Sequence, residues 1–146
     1  MKILAVDPGD KRIGVAISDP TGLIAKPLSI LEHCSREEDA RRIIQIADEN
    51  ECQMIVIGQA LLVDGQIGYR ARSSMRLRDA ITNLSLIKTV LWDETGTTKE
   101  AISTRIKMGM SQKKRRKHMD DLAAAILLDD FLSSTYFKSL EETNYE

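Results

Sequence analysis

Residues Met54-Ile55-Val56-Ile57-Gly58 form a continuous apolar run with no polar residue at alternate positions. A strand that faces water on one side alternates, so this run belongs to a strand covered on both faces, as in a sheet flanked by helices. Residues 87–92 read as a second such strand, ending at Asp93-Glu94. Upstream, residues 3–6, 12–18 and 23–30 read as three strands. Asp7-Pro8-Gly9-Asp10 and Asp19-Pro20-Thr21-Gly22 separate them with turn-forming residues. Connections this short make an antiparallel meander.

Helical signals fill the gaps between the buried strands. Ser35-Arg36-Glu37-Glu38 has capping-box spacing, and Ala40, Ile43, Ile44 and Ala47 form the apolar stripe of the helix it opens. Residues 70–83 read as a second helix. Thr97 to Glu100 repeats the capping-box spacing and opens a third, which stops near Gly109. The last helix begins near Met119 and runs through Asp121, Ala125, Leu128 and Leu132 toward Phe137. The order β-β-β-α-β-α-β-α-α is that of an α/β ribonuclease H-like fold, a mixed five-stranded sheet flanked by helices in one domain.

At 146 residues the chain buries roughly two-thirds of its unfolded surface, so its core needs no disulfide. Cys34 and Cys52 lie far apart with no metal-ligand spacing and read as free thiols. No apolar run approaches the ~18 residues of a membrane span, and the first seven residues are too short an apolar stretch for a signal peptide, so a soluble, cytoplasmic protein is expected.

Because this fold carries many activities, function has to be sought in the polar residues. The net charge of −1 conceals two poles. Lys113-Lys114-Arg115-Arg116-Lys117-His118 is strongly basic, whereas Asp129, Asp130, Glu141, Glu142 and Glu146 make the C-terminal segment acidic. Further basic residues are Lys11 and Arg12 after the first strand, and Arg70, Arg72, Arg76 and Arg78 after the Asp64-Gly65 loop. Each cluster alone could be a solvated face. If they bind a polyanion they do so through phosphates, since aromatic residues are only 4 % of the chain and base stacking is a poor candidate.

Acids fall at three telling places: Asp7 ends the first strand, Asp93 and Glu94 end a later one, and Asp120 and Asp121 open the final helix. Singly they could be a turn former, a loop start and helix caps. Together they suit a hard cation, because Mg2+ or Mn2+ is held by a few carboxylates plus water and could activate a water against a phosphodiester. An actin-like or sugar-kinase-like ATP binder also places an Asp after its first strand, but such proteins usually need two domains. A non-catalytic RNA-binding module would gain nothing from acids that repel phosphate.

Asp7-Pro8-Gly9-Asp10-Lys11-Arg12-Ile13-Gly14-Val15-Ala16-Ile17-Ser18-Asp19, the Asp64-Gly65 loop, Asp93-Glu94 with Thr97-Thr98-Lys99-Glu100-Ala101, and Asp120-Asp121-Leu122-Ala123-Ala124-Ala125 resemble the YqgF (RuvX) family of Holliday-junction-resolvase-like proteins. The resemblance spans nearly the whole chain. The nuclease domain is expected over 1–137, with 138–146 an acidic, flexible tail, in a monomer or homodimer, and the resemblance implies its ribonuclease H-like fold. It also implies metal-dependent phosphodiester hydrolysis in 5′-end processing of pre-16S rRNA, with resolution of branched DNA as the alternative. By position, Asp7, Glu94 and Asp121 match the family's catalytic, metal-holding triad. Lys11, Arg12, Arg70, Arg76, Lys113, Lys114, Arg115, Arg116 and Lys117 are then the expected nucleic-acid contacts. The chain departs from the family at Gly58-Gln59-Ala60, where Gly-Leu-Pro is common, and at Thr95-Gly96, where Arg-Leu is common.

Overall fold

The meander begins with a tight turn, in which the Gly9 N–H donates to the Arg12 carbonyl over 2.9 Å. A Cβ at Gly9 would lie 2.6 Å from that oxygen, so no larger residue fits the turn unshifted. The computed structural model describes residues 1–59, 69–93 and 119–144. Its strands are β1 (Ile3–Pro8), β2 (Arg12–Ser18), β3 (Ala25–Glu32), β4 (Met54–Gln59) and β5 (Lys88–Asp93). Its helices are α1 (Arg36–Glu49), α2 (Tyr69–Leu84), α3 (Met119–Leu132) and α4 (Thr135–Asn144). The helix expected near 97–109 lies outside the described residues.

The five strands form one sheet in the order β3-β2-β1-β4-β5. The meander is antiparallel, while β4 and β5 run parallel to β1, with Val6 opposite Ile57 and Ile57 opposite Leu91. Strand alternation divides the core in two. Leu4, Val6, Val15, Ile55 and Ile57 pack under α1 and α2, against Ala40, Ile43, Leu77 and Ile81. Ile3, Ala5, Ala16, Met54 and Val56 pack under α3 and α4, against Ala124, Leu128, Phe131 and Phe137. The apolar β4 run is thus buried on both sides, as its composition requires.

Three of the boundaries that differ from the sequence reading have a visible cause. β1 extends to Pro8, because Asp7 and Pro8 still pair with Gly14 and Ile13. β3 starts at Ala25 instead of 23: the Asp19 carboxylate accepts the N–H groups of Leu23 and Ile24 at 2.9 and 3.0 Å, which draws both residues into the turn. The Thr21 hydroxyl also donates to Asp19, and these bonds together lower its pKa to about 2. Finally, one long C-terminal helix is replaced by two. Ser134 breaks it, its hydroxyl oxygen accepting the Phe137 N–H at 3.1 Å as a new helix starts. The helix α4 then continues through residues 138–144, which the sequence reading made a tail. Phe137 is fully buried and Leu140 packs on the same core.

Candidate active site

Asp7 sits near the carboxyl end of β1, the middle strand of the sheet, and is half-buried. Alternation puts it on the face of Ile3 and Ala5, the face crossed by α3. Its partner on β2 is Gly14, and on β4 the residue after Ile57, the partner of Val6, is Gly58. At this level of the three inner strands, only Asp7 carries a side chain. Since β1, β4 and β5 are parallel, their carboxyl ends share one edge of the sheet, where ligands of such sheets bind.

Of the remaining candidates, one lies at that edge. Asp93 is the exposed last residue of β5. Glu94 follows it, outside the described residues, two positions after Trp92, whose side chain packs on the Asp7 face. Asp120 and Asp121 belong to the first turn of α3, although their side chains lie outside the described set. Of the expected triad, the described geometry therefore fixes the Asp7 side chain and the backbone of Asp121. No cluster of three His, Cys, Asp or Glu side chains occurs among the described residues. The donor that is described, a carboxylate at an edge flanked by glycines, has the oxygen chemistry that Mg2+ or Mn2+ takes.

Lys11 and Arg12 are exposed at the β1–β2 turn, three or more residues beyond Asp7. Arg72 and Arg76 are exposed one turn apart on α2, whereas Arg78 is paired with its neighbour Asp79 at 3.2 Å. Arg70 is on α2 with its side chain outside the described set, and Lys113, Lys114, Arg115, Arg116 and Lys117 lie outside the described residues altogether. Trp92, read as core, is partly buried: its ring meets Phe131 edge-on at 5.1 Å and its indole N–H donates to Asp130 at 2.9 Å. Cys34 and Cys52 are free thiols.

One feature escaped the sequence reading. A cavity of about 190 Å3 opens beside the same strand end, on the α1/α2 face, lined by Pro8, Gly9, Asp10, Ile13, His33, Arg36, Asp39, Ser73 and Leu77. Asp39 is 2 % exposed and carries three partners: the His33 Nδ1, the Cys34 N–H at 3.0 Å and the Arg42 guanidinium at 2.7 Å. Burial alone would raise its pKa, but the Cys34 N–H, then His33 and Arg42, outweigh it and hold the carboxyl below its ordinary value. The missed signal was a His six residues before an Asp, across a helix cap.

The fold has solved counterparts. Thermus thermophilus RuvC in complex with Holliday junction substrate superposes with a TM-score of 0.57 at 15 % identity, covering 87 % of this chain and 91 % of that one. The human cytomegalovirus terminase nuclease domain gives a TM-score of 0.55 at 13 % identity, covering 92 % and 84 %. The sheet order is that of the ribonuclease H-like fold, and with the family and relatives that follow it defines the class, a nuclease that hydrolyses phosphodiester bonds. Over residues 1–134 the chain matches the family described as RuvX, Holliday junction resolvase, and it belongs to that family. Relatives named "Putative pre-16S rRNA nuclease" include one from Desulforudis audaxviator, 36 % identical over 92 % of this chain and 95 % of the relative. Another, from Thermoanaerobacter pseudethanolicus, is 39 % identical over 92 % and 97 %. Among the described residues, no helix is long and apolar enough to cross a membrane.

Proposed function

We propose that this protein is a divalent-metal-dependent nuclease that processes the 5′ end of pre-16S rRNA in the cytoplasm. The observation that carries the reading is Asp7, an acid on the central strand at the ligand-binding edge, with glycines on both flanking strands. The names of relatives that match the chain almost end to end support the substrate. Asp7, Glu94 and Asp121 would hold Mg2+ or Mn2+, which supplies an activated water and charge stabilisation at the scissile phosphate when bound. Lys11, Arg12, Arg70, Arg76 and the basic run 113–117 hold neighbouring phosphates and so position the strand. Branched DNA is the second reading, favoured by the family description and by the RuvC fold.

The deciding experiment incubates the protein with a labelled pre-16S 5′-leader RNA and with a four-way DNA junction, in Mg2+, Mn2+ or chelator. Metal-dependent cleavage of the RNA with the junction intact is expected; the reverse pattern establishes the second reading. Asp7→Asn, Glu94→Gln and Asp121→Asn should each reduce cleavage at least about a thousandfold, roughly 4 kcal/mol of barrier, with unchanged circular dichroism. Full turnover in all three variants would reject the metal-site reading.

A further inference from the structure

We propose that the cavity between β1, α1 and α2 is a phosphate-binding subsite built from His33, Arg36 and Ser73. None of these residues is in the triad or among the basic clusters assigned above. His33 and Arg36 are exposed and Ser73 is half-buried, so their polar ends are open to solvent and to a ligand. Here the Arg36 guanidinium and the Ser73 hydroxyl make no hydrogen bond or ion pair with any described residue, and both line the cavity. His33 is bound through Nδ1 to the buried Asp39, which leaves Nε2 as the ring nitrogen available to a ligand. Asp39 is itself committed to Arg42 and the Cys34 N–H, so it acts as the positioning residue that fixes the ring. Guanidinium and hydroxyl are donors, a His Nε2 donates when the ring carries both protons, and a planar guanidinium matches two phosphate oxygens at once.

Size and place agree with this ligand. At ~30 Å3 per water, the volume holds about six waters, enough for a tetrahedral anion and residual solvent. A metal ion is disfavoured by Arg36. Asp10, which also lines the cavity, would repel an anion held too near the turn. The lining begins at Pro8, the residue after Asp7, so a strand at the carboxyl edge of the sheet could place one phosphate near Asp7 and another here. Only that last step rests on the nuclease reading. The shared chemistry is a phosphate group, either an internal diester or a terminal monoester.

The test uses the isotope-labelled protein in chelator, with the RNA checked for intactness on a gel after each titration. It is titrated with inorganic phosphate, then with single-stranded RNA bearing a 5′ hydroxyl or a 5′ phosphate. The His33 ring and Arg36 side-chain signals should move with phosphate and with RNA. A response to both RNAs marks a diester subsite, and a response confined to the 5′-phosphorylated RNA marks a monoester subsite. Arg36→Gln, at an exposed position that should not disturb folding, should weaken RNA binding roughly tenfold and reduce the logarithmic salt slope by about 0.7. Ser73→Ala should weaken it less, without changing the slope. Unmoved His33 and Arg36 signals, or an Arg36→Gln slope equal to the parent's, would overturn the subsite. Because binding is read without metal, a failure of cleavage in the separate assay would count against the nuclease reading and leave this result standing.

Discussion

The two faces of the sheet solve the same burial problem with different materials. Under α1 and α2 the core is almost wholly aliphatic, with Val6, Ile43, Ile57 and Ile81 at its centre, and it ends at the polar cavity around Asp39. Under α3 and α4 the aliphatic residues are joined by a cluster of rings. Phe131 touches Trp92, Tyr136 and Phe137 within 5.1 to 6.1 Å, and this is the face that carries Asp7. Branched aliphatic side chains suit shallow contact between a sheet and two amphipathic helices. The face bearing the candidate chemistry thus adds a cluster of rings to its aliphatic core, while the opposite face relies on branched aliphatic side chains throughout.

Truncations should expose that contrast. Phe131→Ala removes the hub of the aromatic cluster and should cost about 3 to 5 kcal/mol in denaturant unfolding. Ile43→Ala should cost about 2 to 4 kcal/mol, because its aliphatic neighbours can partly close the space. Equal losses at the two sites would undo the distinction.

Asp39→Asn tests the polar end of the aliphatic face. It leaves Arg42 and His33 short of a charge and should cost about 2 kcal/mol at pH 7. The native pKa of Asp39 lies below that of the unfolded chain, near 3.9, so its stabilisation is complete above that value and fades as pH falls through the native one. The gap between parent and variant should therefore shrink between pH 7 and pH 3; a constant gap would mean that charge is not the cause. The smallest effect belongs to Trp92→Phe, which keeps a ring against Phe131 but loses the bond to Asp130, for about 1 kcal/mol.

The architecture was legible wherever local pattern and burial agreed. The β4 run, the Ser35 cap, whose oxygen accepts the Glu38 N–H at 3.2 Å, and the Gly9 turn each follow from residue type alone. Boundaries slipped where a side chain competed with the backbone: Asp19 took two N–H groups from the start of β3, and Ser134 ended α3. Asp7 was legible as a candidate because it ends a strand beside a turn. The His33–Asp39–Arg42 group was not, since its meaning comes from burial between elements that local spacing does not reveal. The expected roles of Glu94 and Lys113 to Lys117 rest on sequence, which motivates the variants at Glu94 and a salt series on a five-fold Gln variant of the basic run. That variant should lower the logarithmic slope by the equivalent of two or three phosphate contacts, each about 0.7 to 0.9.

The ring-bearing face also imposes a timetable. Among the described residues, both helices that cover it follow all five strands in the chain, whereas α1 and α2 are interleaved with the strands they cover. During synthesis, β1 to β5 and the first two helices can gather while Ile3, Ala5, Met54 and Val56 still lack their partners from α3 and α4. For that interval the nascent chain presents a bare apolar sheet surface, the kind of surface that attracts chaperones or other nascent chains. The face that carries Asp7 is thus the last to be sealed.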